Sequence, residues 1–298
     1  MAEGQLTDVP ARVGEALATP LEPRPEIMFR RRIGLVSAVR ELWSFRELTL
    51  TLAERDLRVR YKQALLGIAW AIISPLAMMV AFTVVFTQFA HINTNGAPYV
   101  LFSYLGLLPW TFFSSSLTGG GGSLVGNVAL LNKLYCPREV FPIAAIADAA
   151  VDALIATLVL LVLFPIEGFA PKVETLYLPL LLIVLLAFTL GTTLAVAAAT
   201  VYMRDLRLLL PLIIQFGLFV TPVVYGANSL VGNSQAKLIA YSLVNPLVPV
   251  IDGMRRTVLF GQPPNWASLG AGALTSLVVL FGGFWLFKRL ETGIADVA

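Results

Sequence analysis

Hydrophobic residues gather in six long stretches separated by shorter polar ones, at 66–90, 99–120, 140–165, 175–200, 207–227 and 266–287. Each is close to the ~20 residues that a helix needs to cross a hydrocarbon core of ~30 Å. The pattern predicts an all-α, polytopic membrane protein with six transmembrane helices. Two further segments break the rhythm. Residues 45–62 place Leu48, Leu52 and Val59 near one face among Glu54, Arg55, Asp56, Arg58, Arg60 and Lys62, which predicts an amphipathic helix lying along the membrane surface. Residues 228–265 are too long for a plain connection and too interrupted to span, because an apolar run from Leu238 to Ile251 is broken by Asn245-Pro246 and by Pro249. A re-entrant pair of short helices between spans five and six suits such a run, provided that neighbouring helices shield the break.

Charge then orients the spans. Eleven of the 21 Lys and Arg residues lie before residue 65, directly ahead of the first span, where topology explains them better than nucleic-acid binding does. With both termini on one side, 17 Lys and Arg face that side and four face the other, so the N- and C-termini are predicted to be cytoplasmic. Residues 1–30, with Pro10, Pro20, Pro23 and Pro25 and no apolar core, read as a disordered cytoplasmic tail. Residues 31–65 then hold the interface helix, and 66–298 the transmembrane domain. Composition agrees, since 57% of residues are hydrophobic and 13% charged, and the spans leave no room for a second, catalytic domain.

The chemistry-bearing residues are few. One cysteine, Cys136, and one histidine, His91, make neither an internal disulfide nor a zinc site. No Gly-x-x-x-x-Gly-Lys-Ser/Thr occurs, and the run Gly119–Gly122 meets no lysine before Lys133, so this route to a bound nucleotide is closed. Those glycines read as a flexible connection or a hinge at the end of the second span. Asp148 and Asp152 stand four apart on one face of the third span. Such a pair either shares a proton, as in an ion-coupled carrier, or meets headgroup water, Arg138 or Lys133. Phe82, Phe86 and Phe89 form one stripe of the first span, with Trp110 and Phe113 in the second. They serve packing or a lipid-facing belt on one reading, and on the other line a conduit where sugar rings stack.

The chain resembles the permease subunits of ABC-2 type exporters that move lipid-linked polysaccharides or polyol phosphates, the O-antigen and teichoic acid class. The resemblance is carried by Arg55-Asp56-Leu57, Arg60-Tyr61-Lys62, Leu66-Gly67, Trp70 and Pro75; by Asn127, Lys133, Pro137-Arg138-Glu139 and Pro142; and by Arg204-Asp205, Thr221-Pro222-Val223, Tyr225, Asn245-Pro246-Leu247 and Arg255. Together these pieces run from 45 to 287 in the family's order. The resemblance implies a homodimer of permeases bound to two copies of a separate ATPase subunit, which uses ATP and Mg while this chain binds no cofactor. It implies that Arg55 and Asp56 on the surface helix, and Asn127, Lys133, Pro137, Arg138 and Glu139 in and beside the coupling segment 124–138, receive the ATPase stroke. It further implies that Asn245, Pro246 and Arg255 form a re-entrant gate. A lipid pyrophosphate suits the forked donors of Arg58 and Arg60, with Lys62 beside them, although positive-inside topology explains the same charges. An O-antigen, a galactan and a teichoic acid all fit this reading. Its rivals are a proton- or ion-coupled secondary carrier using Asp148 and Asp152, and a membrane-embedded transferase, for which the sequence supplies no His/Asp cluster.

Overall fold

The computed structural model describes residues 35–297, leaving aside 63, 91–93, 95, 132–135, 171, 204 and 233. The tail expected over 1–30, Lys133, His91 and the side chain of Phe89 lie outside the described residues. A first unit ends at Arg40, and the second comprises Glu41–Ala298. All regular structure among the described residues is helical: α1 Leu35–Ser44, α2 Arg46–Lys62, α3 Trp70–Val85, α4 Tyr99–Gly126, α5 Val128–Leu131, α6 Val140–Ile166, α7 Leu178–Tyr202, α8 Leu206–Val220, α9 Asn228–Val231, α10 Gln235–Val244, α11 Leu247–Val258 and α12 Trp266–Val297. Short 3-10 turns lead into α3 and α7, and a π turn, Phe86–Ala90, extends α3.

Five of these rods are long and apolar enough to cross a membrane, ending at Gln88, Gly126, Ile166, Tyr202 and Glu291. α8 is the exception. Hydropathy predicts a span over 207–227, but the helix stops at Val220 because Pro222 offers no N–H and forces Thr221 into an extended conformation. α4 forms the centre, with 78% of its apolar window buried against 11% for the α3 rod. It packs on α6 and α7, while α12 lies along α7. At the α7–α12 crossing a Cβ on Gly283 would overlap the carbonyl oxygen of Gly191, and one on Gly191 would meet the backbone of Val279 and Leu280. Two backbones thus touch directly, as helices in lipid do when small residues face each other.

The glycine run behaves differently from its expected role. α4 continues through Gly119–Gly122 to Gly126, and a Cβ on Gly120 would collide with the Thr193 methyl of α7. Gly120 and Gly121 are buried and close-packed against α7, and the run is continuous helix rather than a connection. Along α2, Leu52 and Ala53 are buried among Leu124, Val140, Phe141, Leu194 and Phe287. Val59 is 72% exposed and does not share that face, so only part of the expected apolar stripe is used.

Candidate functional site

Polar side chains meet at two ends of the helical body. At the basic end, α2 lies across the end of α4 and the start of α6. Arg55 donates Nε and Nη2 to Asp56 Oδ1 at 2.9 and 2.7 Å, and Nη2 also reaches Asn127 Oδ1 at 2.9 Å. Asn127 in turn donates to the Ser123 carbonyl at 2.9 Å, closing the last turn of α4. Three of the residues expected in coupling are therefore in one cluster.

Pro137, Arg138 and Glu139 form the turn that opens α6, with the Val140 and Phe141 amides donating to the Pro137 and Arg138 carbonyls. Glu139 is only 1% exposed and pairs with Lys288 of α12, which also holds Glu291 at 2.9 Å. Arg138 donates to the Glu291 carbonyl. Burial pushes the Glu139 carboxyl above its ordinary value, the Glu291 carboxylate pushes the same way, and Lys288 opposes both. Glu139 thus joins the turn that opens α6 to α12 and is itself buried. In the sequence Lys288 stands out only as a topology charge, because its partner lies far back in the chain. Glu139→Gln is expected to cost about 1–2 kcal/mol, since Lys288 would lose one carboxylate while keeping Glu291. A double-mutant cycle with Lys288→Met, read by melting in detergent, should return a coupling energy; strict additivity would deny the pair.

Asp148 and Asp152 do come together, and their cation is Arg60 from α2. Arg138 is committed to α12 instead. The Arg60 guanidinium pairs with Asp148 and lies 2.6 Å from Asp152 Oδ2, while the Tyr61 hydroxyl donates to Asp152 Oδ1 at 2.8 Å. Burial, then the bond to Asp152, push the Tyr61 phenol up to about 12, so it stays a neutral donor. Arg58 pairs with Glu54, and Lys62 is exposed. Arg55, Arg58 and Lys62 line a surface hollow of about 510 Å3 together with Glu54. Arg60 opens instead on a groove of about 710 Å3 whose walls come from α3, α4 and α6.

At the far end the chain between α8 and α9 is tied down by side chains. Arg255 is 3% exposed and donates to the carbonyls of Phe102 at 3.0 Å, Pro222 and Tyr225 at 2.9 Å, and Val223. Its guanidinium lies 3.7 Å from the centroid of the Phe102 ring. Tyr99 donates to the Val224 carbonyl at 2.8 Å, and Tyr241 reaches that of Val220. Asn245 bridges the break between α10 and α11, donating to Thr221 Oγ1 at 2.8 Å and accepting from the Leu247 amide at 3.1 Å. Pro246 follows as the residue before α11, where its missing N–H costs no helical bond.

The aromatic residues divide. Trp110 and Phe113 are buried at 5% and 8% exposure, with Phe113 stacked on Phe188 at 5.3 Å. Phe82 and Phe86 are half-buried, 6.0 Å apart, and continue through Tyr99 to Phe102. Among the described residues no group of His, Cys, Asp and Glu is placed to hold a metal ion.

The chain is 28% identical over 262 residues to an O-antigen export system permease protein, RfbA, of Myxococcus xanthus, which covers 88% of this chain and 99% of that protein. It is 25% identical over 252 residues to the protein of that name in Klebsiella pneumoniae, covering 84% and 95%. It is 28% identical over 244 residues to a polysialic acid transport protein, KpsM, of Escherichia coli, covering 80% and 91%. Residues 47–259, from α2 to just past α11, match the ABC-2 type transporter family, and the chain belongs to it.

Proposed function

We propose that this chain is the membrane subunit of an ATP-driven exporter that moves a lipid-linked polysaccharide out of the bacterial cytoplasm, as a homodimer bound to two copies of a separate ATPase. The observation that carries the reading is the family match over 47–259, because it takes in α2, the segment that opens α6 and the broken pair α10–α11 as one continuous unit. The sequence contains no phosphate-cradling loop of its own, which accords with nucleotide held by a partner. The side carrying 17 of the 21 Lys and Arg residues is the cytoplasmic one.

The sixth crossing is α8 together with the strap that follows it. Fifteen helical residues reach ~22 Å, short of the ~30 Å core, and the turns of residues 221–225 that Arg255 ties down carry the path on from there. Arg255 and Asn245 hold α10–α11 to this strap, with Pro246 at the break between them, so a gate at the outer end moves as a unit. The half-buried rings of Phe82 and Phe86 suit a conduit wall better than Trp110 and Phe113, which the chain already packs. At the cytoplasmic end Arg55, Asp56 and Asn127 face the ATPase, and the Glu139–Lys288 pair carries the load into α12.

The phosphate of the lipid carrier is drawn to the hollow lined by Arg55, Arg58 and Lys62, while Arg60 is spent on Asp148 and Asp152. Arg58→Gln with Lys62→Gln is expected to cut export by up to about thirtyfold, at about 1 kcal/mol per charge removed, with orientation unchanged. Undiminished export by the doubly substituted protein would remove the phosphate role.

The reading itself is tested by co-purifying the chain with a P-loop ATPase subunit from its own cell, and by reconstituting both. Polymer transport that needs hydrolysable ATP and both subunits is the expected result. Transport by the chain alone, driven by a proton gradient, would replace it with the carrier reading.

A further inference from the structure

The surface helix α2 is fixed to the body at two separated points of different chemistry. Near its middle, Leu52 and Ala53 sit in the apolar cluster with Leu124, Val140 and Phe141. Eight residues later, ~12 Å along the helix, Arg60 and Tyr61 bind Asp148 and Asp152. Both anchors engage α6, the element that α2 touches most extensively. A rod pinned twice to the same neighbour transmits tilt to it, whereas one pinned once would swivel.

The second anchor is also the more demanding. Asp148 is 3% exposed and its Oδ1 has no hydrogen-bond partner, so a carboxylate has been placed out of water with Arg60 as its compensating charge. Tyr61 adds a neutral bond that fixes where Asp152 points. Directly beyond this anchor the chain changes character. Gly67 takes a φ of 52°, and the turn Gly67–Ala69 comes before α3 begins. The link from α2 to α3 is thus a bend, while the link from α2 to α6 is a set of charged bonds. The groove of about 710 Å3 beside Arg60, Tyr61 and Asp152 leaves space between α3 and its neighbours α4 and α6.

We propose that Asp148 and Asp152, with Arg60 and Tyr61, form a transmission joint that delivers displacement of α2 to α6. The two acids are positioning residues for coupling, and neither carries protons nor touches the cargo. This inference rests on the exporter reading above and goes beyond it in assigning the route of the stroke. It also differs from a role in folding alone, because a broken joint should let the ATPase turn over without moving polymer.

The test uses the full complex of permease and ATPase in nanodiscs and in cells. Should the wild-type chain fail to co-purify with an ATPase, the exporter reading fails before the joint is examined. Given assembly, Asp152→Asn and Arg60→Gln are expected to lower export per ATP hydrolysed by about tenfold while hydrolysis per assembled complex stays within about twofold. The exchange Arg60→Asp with Asp152→Arg should regain most of the lost ratio, since either arrangement bridges α2 to α6. Tyr61→Phe, which keeps the ring and every charge, should give a smaller loss in the same direction and serves where the charge variants do not assemble. Export and hydrolysis falling in step, an unchanged ratio, or an exchange variant no better than the singles would each overturn the joint.

Discussion

Replacing Arg255 by Ala is expected to release the strap between α8 and α9 and to cost roughly 3–5 kcal/mol, since several buried carbonyls lose their donor at about 1–3 kcal/mol each before relaxation. Pro222, Val223 and Tyr225 lie beyond the last residue of α8, so no helix supplies partners for their carbonyls. The Arg255 fork serves all three and the Phe102 carbonyl besides. Alanine would leave these acceptors facing an apolar cavity too small to admit a full hydration shell. The melting temperature in detergent should fall by about 10 °C, given ~2–4 °C per kcal/mol at this size. Arg255→Lys is expected to fall between, because one ammonium cannot span carbonyls arranged around a planar fork. Equal melting of the Lys variant and wild type would show that charge alone suffices. Gly106 belongs to the same prediction, since a Cβ there would strike both the Val223 carbonyl and the Arg255 guanidinium. Gly106→Ala should therefore imitate a weakened Arg255 without touching its charge.

Arg255 also shows what was legible in the sequence and what was not. Its place in the segment between spans five and six came with the family resemblance, and the break at Asn245-Pro246 is marked by composition. Its job was not signalled, because the carbonyls it serves belong to the segment that hydropathy extends into the fifth span. Hydropathy registers side chains and is blind to whether a backbone is hydrogen-bonded. The same blindness explains the glycines. Gly120 looked like flexibility because its partner, Thr193, sits on another helix, and no local pattern reports that a neighbour fills the place of a missing Cβ. The acids at 148 and 152 were correctly put on one face by their spacing, yet their cation came from α2, 88 positions earlier than Asp148. Local periodicity located the groups, and only tertiary packing could pair them.

Those lessons converge on the crossing of α7 and α12, where the second large effect is expected. Gly282 and Gly283 are adjacent in sequence and identical in propensity, but a Cβ on Gly282 meets nothing within 4 Å whereas one on Gly283 would overlap the Gly191 carbonyl. Overpacking usually costs ~1–3 kcal/mol and more where backbone rather than a movable side chain must yield. Gly283→Leu is therefore expected to exceed ~3 kcal/mol and to reduce the monodisperse fraction sharply in detergent, with Gly283→Ala intermediate. Gly282→Ala, one position away, should melt as wild type or slightly higher, because alanine is ~1 kcal/mol better than glycine within a helix. The contrast isolates contact from propensity. Since α12 also carries Lys288, which holds Glu139, separating α12 from α7 should loosen the turn that opens α6 as well. A Gly283→Ala protein that still assembles is expected to lose export per ATP hydrolysed, whereas Gly282→Ala keeps it. Equal behaviour of the two alanine variants would mean that the crossing tolerates a side chain at either position.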